Sequence, residues 1–314
     1  MEILGHKIRN GVRNYLELEV ASLYTRTRIA IPVIVQKASR PGPVLLVISG
    51  IHGDEVNGIE INRRLLLEKL LKPVAGTVIS IPIANVMAFI NLERKFSDGR
   101  DLNRSFPGSQ KGSMAAQIGH LLSSRIIPIA DVVIDLHTGS EDRSNASQIR
   151  YDTAHPENAQ LAKLFNAPFA LLQLKPPTGS LRRLLNKKKI STVIFEGGKS
   201  RSIDNEIVAD GMRGVLNIAE YLGIVEKSDY GRNPVKTKYL AKSHWVRAGS
   251  SGMLQPVAAN GKNVEAGEIL AFINGPYAQF QKKVRARKSG SIICVNESPV
   301  VHKGDALFHI GEAA

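Results

Sequence analysis

The sequence has almost no cysteine, few aromatic residues and no long apolar run. Cys294 is the only cysteine, which excludes a disulfide framework and a cysteine-based metal cluster. Aromatic residues make up only 5% of the chain, which argues against a surface that stacks nucleic-acid bases. No apolar stretch reaches the roughly 18 residues of a membrane span, and the start, MEILGHKIRNGVRNYL, lacks the apolar core of a signal peptide. These absences predict a cytoplasmic protein that does not cross a membrane.

The chain is instead rich in core-forming residues and in positive charge. Of its 314 residues 43% are hydrophobic, enough for one large domain or two. The formal net charge is +14, and the densest basic runs are residues 187–189 and 282–288. Such runs are usually solvated faces, so charge alone does not favour a nucleic-acid partner. Attraction of a small acidic substrate explains the charge equally well. Oligomeric state stays open, and the composition is compatible with a homo-oligomer.

From residue 15 to residue 222, segments with the apolar pattern of strands are interspersed with segments that have the apolar spacing of helices. Short β-branched runs predict strands at 15–24, 29–37, 43–49, 77–83, 131–137, 169–174 and 191–196. Helical spacing predicts helices at 56–71, 114–127, 156–166, 179–187 and 203–222. This alternation predicts an α/β fold with a mostly parallel or mixed sheet flanked by helices.

The pattern changes after about residue 232. Helical periodicity disappears, and short strand-like runs alternate with turns that contain glycine, such as ANGKN, EAGE and HKGD. We therefore predict an α/β domain over residues 1–232, a linker at 228–234 and an all-β domain over residues 233–314.

Two histidines and one glutamate follow the ends of two predicted strands. His52 and Glu55 stand three residues apart in the bend after the first buried strand, and His137 closes the strand DVVIDLH. Ligands of open α/β sheets bind where the carboxyl ends of strands open into loops. Two histidines with one glutamate form a frequent catalytic zinc set, so the pattern predicts one Zn²⁺ per chain, with Asp135 placed to orient His137. The plainer alternative is a group of loop residues with satisfied hydrogen bonds, because His-x-x-Glu alone is a weak signal.

A loop-rich stretch, RKFSDGRDLNRSFPG at residues 94–108, concentrates basic and amide side chains. It holds Arg94, Arg100, Asn103 and Arg104 between glycine, proline and aspartate residues. An amide beside a guanidinium suits bidentate recognition of a carboxylate. The stretch therefore predicts a carboxylate clamp, with a solvated basic loop as the alternative.

An acidic residue closes the apolar strand VIFEGG at residues 193–198. Glu196 is an awkward choice for core packing, and it suits a general base that takes a proton from metal-bound water. The alternative is a carboxylate that caps the following turn.

Four motifs together give the chain a resemblance to a known family. GIHGDE (50–55), GRDLNRSFPG (99–108), DLHTG (135–139) and FEGG (195–198) occur in the order and with the separations of the succinylglutamate desuccinylase/aspartoacylase family, relatives of the zinc carboxypeptidases. The likeness covers roughly residues 40–225. The tail resembles the C-terminal β domain of that family, with turns like those of a biotinyl-like barrel sandwich, but it has no lysine hairpin for lipoyl or biotin attachment.

The resemblance implies a role for each candidate residue. His52, Glu55 and His137 would bind zinc, Glu196 would be the catalytic carboxylate, and Arg94 would polarise the scissile carbonyl. Asn103 and Arg104 would hold the carboxylate of the substrate. The family also uses an arginine upstream of the catalytic acid, which leaves Arg182 and Arg183 as candidates, and some members add a tyrosine from the tail, for which Tyr277 is the candidate.

The resulting function is the zinc-dependent hydrolysis of the amide bond of an N-acyl amino acid. One alternative is a metallocarboxypeptidase that trims a short acidic peptide, which the positive charge would also suit. An overhanging tail domain would favour small substrates, and an open cleft would favour peptides. A non-catalytic basic binding protein is the third interpretation, which an intact set of zinc and acid-base residues argues against.

Overall fold

The structure is a computed structural model that describes residues 1–22, 24–227, 230 and 235–313. Within those residues helices occur among the strands up to residue 221, and only strands follow. The strands are β1 (Glu2–Ile3), β2 (His6–Lys7), β3 (Arg13–Ser22), β4 (Arg28–Lys37), β5 (Val44–Ser49), β6 (Thr77–Ile81), β7 (Val132–Gly139), β8 (Arg143–Tyr151), β9 (Phe169–Leu172), β10 (Ser191–Lys199), β11 (Lys238–Arg247), β12 (Gly252–Pro256), β13 (Asn263–Val264), β14 (Ile269–Asn274), β15 (Gln281–Arg285), β16 (Gly290–Asn296), β17 (Val300–Val301) and β18 (Ala306–Ala313). The α-helices are α1 (Val56–Leu67), α2 (Val86–Ile90), α3 (Met114–Arg125), α4 (Glu157–Phe165), α5 (Leu181–Lys188) and α6 (Asn205–Tyr221).

The centre of the fold is a mixed sheet of twelve strands. Its order is β13-β16-β18-β11-β9-β8-β10-β7-β5-β6-β4-β3. The strands β10, β7, β5 and β6 are parallel to one another, so their carboxyl ends meet at one edge. Strand β8 runs antiparallel beside β10, which makes the sheet mixed. The predicted α/β class is therefore confirmed in its mixed form.

Helices cover both faces of this sheet. Side chains of β5 alternate between the two faces: Leu46 and Ile48 join the apolar cluster that contains residues of α3 and α5. Leu45 and Val47 join the cluster that contains residues of α1, α4 and α6. Burial on both faces explains why this strand reads as a continuous apolar run. None of the helices in the described ranges combines the length and apolar character that a membrane span requires.

The tail is built only of strands, as its sequence predicts. Strands β15, β14, β12 and β17 form a separate four-stranded sheet, and an apolar cluster with Leu270, Leu307 and Phe308 fills the tail. Other tail strands extend the central sheet, because β11 pairs with β9 and β16 pairs with β8. The predicted linker lies outside the described residues except for residue 230, and the domain division at 232 stays a prediction.

One long strand is missing from the sequence prediction. Strand β8 lies between β9 and β10 in the central sheet, yet residues 143–151 read RSNASQIRY and contain no apolar run. The short helix α2 is also absent from the prediction. Strand β8 matters more, because its side chains reach the candidate site.

Candidate functional site

A cavity of about 320 Å³ opens at the carboxyl ends of β5, β7 and β10. Its walls contain the residues predicted as metal ligands, catalytic groups and carboxylate clamp: His52, Glu55, Arg94, Asn103, Arg104, His137 and Glu196. These residues come from four separate stretches of the chain. The structure therefore brings all four motifs to one edge of the sheet, where α/β folds bind ligands.

The start of helix α1 lies directly against strand β7. A Cβ atom on Gly58 would lie 2.6 Å from the backbone oxygen of Leu136, so only glycine permits this approach. Glu55 is the residue that precedes α1, and the approach places it beside His137. Local packing of helix on strand thus joins two motifs that are 82 residues apart.

The buried side chains of His52, Glu55 and His137 form a compact group. The Nδ1 atom of His52 lies 2.7 Å from Glu55 Oε1, and the Nδ1 atom of His137 lies 2.7 Å from Glu55 Oε2. One ligand atom from each residue lies within 4.8 Å of the others. Both imidazoles thus direct the same type of nitrogen toward one shared carboxylate.

A further acidic side chain lies behind each imidazole. The Nε2 atom of His52 lies 3.1 Å from Asp101 Oδ1, and the Nε2 atom of His137 lies 3.0 Å from Asp135 Oδ2. A carboxylate on the far nitrogen orients a metal-binding histidine and strengthens it as a ligand. The sequence predicts this contact for Asp135, but the role of Asp101 emerges only from the structure.

The charges of this group favour a bound cation. Burial lowers the pKa of both histidines, but the carboxylates beside them outweigh burial and raise it, most strongly for His137. Burial raises the pKa of Glu55, yet the two imidazoles hold that pKa well below its ordinary value. Two imidazole nitrogens and an ionised carboxylate oxygen that lie close together can bind a divalent ion such as Zn²⁺. The residues present therefore fit the metal that the family implies.

Arg94 lies next to this group. Its Nη1 atom is 3.3 Å from Glu55 Oε1 and also donates to the hydroxyl of Ser140, while its Nη2 atom donates to Asp101 Oδ2 at 3.0 Å. These contacts hold a guanidinium in the cavity wall beside the group of His52, Glu55 and His137.

Glu196 lies on strand β10 directly beside His137 of β7 in the parallel register. Its Oε1 atom lies 3.0 Å from Arg150 Nη1, and its Oε2 atom accepts a hydrogen bond of 2.8 Å from Asn145 Nδ2. The carboxylate is partly exposed and lines the cavity. It belongs to the cavity wall and does not cap the following turn.

The two glycines after Glu196 accompany an irregularity in the sheet. The register between β10 and β8 shifts between Glu196 and Gly198. Gly198 has a φ of 75°, and a Cβ atom there would lie 2.6 Å from Asn57 Nδ2. Asn57 is fully buried, and its Oδ1 atom accepts a hydrogen bond from the backbone of Asp204. The site therefore requires glycine at position 198.

We expect G198A to lower the free energy of unfolding by about 1–3 kcal/mol, because the left-handed backbone is strained and Asn57 must move. Urea denaturation measures this change. The control is G261A, since Gly261 has a φ of 78° but nothing within 4 Å of its Cβ position. If the two variants lose equal stability, the contact with Asn57 contributes nothing.

Asn103 and Arg104 form one side of the cavity. The Oδ1 atom of Asn103 accepts a hydrogen bond of 2.9 Å from the backbone nitrogen of Leu181, at the start of helix α5. No described residue accepts a hydrogen bond from its Nδ2 atom. Arg104 is exposed, and its Nη1 atom donates to the backbone oxygen of Asn103. Both side chains therefore keep donors for a carboxylate.

The structure also distinguishes among the three remaining candidates, Arg182, Arg183 and Tyr277, by their position relative to the cavity. Arg182 is 3% exposed and lines the cavity, and its Nε and Nη1 atoms make no hydrogen bond to any described residue. Burial lowers its pKa to about 10. Arg183 lines a neighbouring groove instead and donates to Thr178. Tyr277 is 87% exposed and is not a cavity residue, so the structure does not support it as the aromatic residue of the site.

The tail contributes a different aromatic side chain. Trp245 of β11 lines the cavity together with Cys294 of β16. The indole stacks on His309 with ring centroids 4.4 Å apart, and the guanidinium carbon of Arg143 lies 6.0 Å from the indole ring. Sequence reasoning missed Trp245, although it is the only tryptophan of the chain.

Comparison with known proteins finds a matching family model and a relative that covers most of the chain. Residues 41–222 match the model of the succinylglutamate desuccinylase/aspartoacylase catalytic domain. N-alpha-acetyl-L-2,4-diaminobutyric acid deacetylase from Halomonas elongata is 30% identical over 302 residues, which cover 90% of this chain and 86% of that protein.

Solved structures show the same fold. A succinylglutamate desuccinylase/aspartoacylase from Rhodobacter sphaeroides superposes with a TM-score of 0.86 at 24% identity, covering 98% of this chain and 97% of the other. The product-bound ectoine utilization protein EutE (DoeB) from Ruegeria pomeroyi also gives 0.86, at 23% identity, covering 97% and 96%. The matched catalytic domain makes up more than half of the chain and contains all four motifs. The chain therefore belongs to the succinylglutamate desuccinylase/aspartoacylase family.

Proposed function

We propose that this protein is a zinc-dependent hydrolase that cleaves the amide bond of an N-acyl amino acid. The observation that carries the proposal is the placement of Glu196 in the same cavity as the group of His52, Glu55 and His137. Metal-assisted hydrolysis requires a metal site and a nearby group that accepts a proton from water. The three ligand candidates and the carboxylate on the neighbouring strand would supply both. The deacetylase from Halomonas elongata, a relative at 30% identity, supports the same reaction class.

His52, Glu55 and His137 would hold the ion. When bound, Zn²⁺ lowers the pKa of a water molecule to about 7 and polarises a carbonyl group. Glu196 accepts the proton of the attacking water and then donates it to the leaving amide nitrogen. Arg94 donates hydrogen bonds to the substrate oxygen that gains negative charge, a contact worth roughly 3–4 kcal/mol in the transition state.

The carboxylate of the substrate binds at Asn103 and Arg104. The Nδ2 atom of Asn103 and the guanidinium of Arg104 both supply donors, as described above. Because the Oδ1 atom of Asn103 also holds the backbone of Leu181, the same residue fixes the start of the helix that carries Arg182.

The charge of the cavity favours an acidic substrate. Five arginines line it, against two glutamates, of which Glu55 belongs to the metal-ligand set. The Nε atom of the buried Arg182 lies 3.8 Å from Asp152 Oδ2, and its Nη1 atom makes no hydrogen bond to any residue that the structure describes. A cationic side chain in the substrate meets repulsion here, whereas a second carboxylate finds donors.

The tail supports a small substrate over a peptide. Trp245 and Cys294 belong to the tail and form part of the cavity wall, so the cavity is closed by the tail on that side. Its volume of about 320 Å³ suits a single N-acyl amino acid. This closure favours the deacylase over the carboxypeptidase alternative.

A panel of substrates tests the proposal. We expect the zinc-loaded protein to release free amine from N-acetyl-L-aspartate or N-succinyl-L-glutamate with a kcat/KM about tenfold or more above that for N-acetyl-L-2,4-diaminobutyrate, because of the cavity charge. Peptides that end in glutamate serve as the comparison for the alternative function. Release of the C-terminal residue from those peptides, without hydrolysis of any N-acyl amino acid, would contradict the deacylase proposal.

A further inference from the structure

Strand β8 supplies a hydrogen-bond or ion-pair donor to each carboxylate oxygen of Glu196. Arg150 Nη1 lies 3.0 Å from Oε1, and Asn145 Nδ2 lies 2.8 Å from Oε2. Two donors from one strand fix both the position and the rotation of the carboxylate. Each carboxylate oxygen has two lone pairs, so one donor on each still leaves an acceptor position for a water proton.

The irregular register explains how two residues of β8 reach the same carboxylate. Asn145 and Arg150 are five residues apart, so a regular strand would direct them to opposite faces. Glu196 pairs with Gln148, but Gly198 pairs with Asn145, so β8 contains one extra residue between the two pairs. A bulge of this kind reverses the alternation of side chains and often lies next to an active site. The bulge therefore brings Asn145 to the face that carries Arg150 and Glu196.

We infer that Arg150 and Asn145 are positioning residues that hold the Glu196 carboxylate toward the cavity in the geometry that proton transfer requires. The inference rests on the proposed function, in which Glu196 moves the proton. Misplacement of a reacting group by about 1 Å costs up to about a hundredfold in rate. Loss of either contact should therefore lower kcat.

A different role for Arg150 is direct binding of the substrate. Arg150 already lies within ion-pair distance of Glu196, whereas the Nη1 atom of Arg182 makes no hydrogen bond to a described residue. The structure therefore favours Arg182 for an anionic group of the substrate and Arg150 for Glu196. The two roles differ in kinetics, because loss of a substrate contact raises KM and loss of positioning lowers kcat.

The first test compares R150M with R150K. We expect R150M to lower kcat about tenfold or more while KM changes less than about threefold and the bound metal is retained. R150K keeps a cation near Oε1 and should recover part of the lost kcat. The control is R213M, which removes a largely buried arginine paired with Asp210 outside the cavity. A raised KM with unchanged kcat in R150M would overturn the inference.

The second test asks whether Arg150 acts through Glu196. In an E196D background the shortened carboxylate no longer reaches the same donors, so adding R150M should cost much less than it does in the wild-type protein. N145A should behave like R150M in both backgrounds. If the effects of R150M and E196D simply multiply, Arg150 acts independently of Glu196.

A crystal structure of R150M gives a readout that needs no turnover. The inference predicts that the Glu196 carboxylate leaves its wild-type position, and an unmoved carboxylate would contradict it. If the wild-type protein hydrolyses no member of the substrate panel, the proposed function is wrong. The position of Glu196 in R150M then still decides whether Arg150 holds it.

Discussion

The E196Q variant should keep its bound metal and lose turnover by a factor of about 10²–10⁴. An amide matches the carboxylate in size, although its one oxygen can accept from only one of the two donors, Arg150 and Asn145. Neither donor belongs to the proposed metal-ligand set, so we expect the fold and the bound metal to be retained. The amide has no basic oxygen of comparable strength, so it does not accept the proton of the attacking water. Steady-state kinetics on the best substrate of the panel, together with metal analysis of the same preparation, measures both quantities.

E297Q is the matched control for this result. Glu297 is an exposed glutamate that is also in an ion pair, with Lys199 at 3.1 Å, but it does not line the cavity. Its variant should retain wild-type kcat. Substantial turnover by E196Q would remove Glu196 from the mechanism, and loss of metal from E196Q would show that the carboxylate acts as a ligand.

The H52A variant should lose both the metal and the activity. In the proposed metal centre His52 is one of three protein donors, and its removal also leaves Asp101 without its imidazole partner. Loss of an outer contact alone typically costs 10–100-fold in metal affinity, so loss of a donor itself should cost at least about a hundredfold. Metal content after dialysis and the metal concentration that restores half of the activity are the two measurements.

H155A is the control that shows whether removal of any histidine lowers the metal content. The Nδ1 atom of His155 lies 3.0 Å from the hydroxyl of Ser191, and the residue is outside the cavity. That variant should bind a full equivalent of metal. A full equivalent of bound metal in H52A would mean that His52 is not a ligand. The proposed metal centre would then be wrong.

Four of the site residues that sequence reasoning found, His52, Glu55, His137 and Glu196, share one property: they interrupt a strongly apolar strand or follow its end. His137 and Glu196 stand in strands that are otherwise buried, so their polarity is conspicuous against the core pattern. His52 and Glu55 lie between a buried strand and an amphipathic helix. Apolar periodicity locates such elements well, which is why the parallel strands and their helices could be predicted.

Residues on β8 carry no such signal. The strand faces a polar cavity, so Asn145 and Arg150 look like loop residues in the sequence. Asp101 and Trp245 are hidden for another reason, because their contacts join segments far apart in the chain. His52 is 49 residues from Asp101, and Trp245 lies on a strand, β11, that joins the central sheet by pairing with β9. These contacts depend on tertiary packing, which local patterns do not encode.

The indole of Trp245 reaches the cavity from a part of the chain that contains none of the four motifs. Mutations in the tail can therefore reshape one wall of the cavity without altering the residues proposed for proton transfer and ion binding. The contacts of a bound ligand with this wall can thus change independently of its contacts with Asn103, Arg104 and the other residues of the motifs.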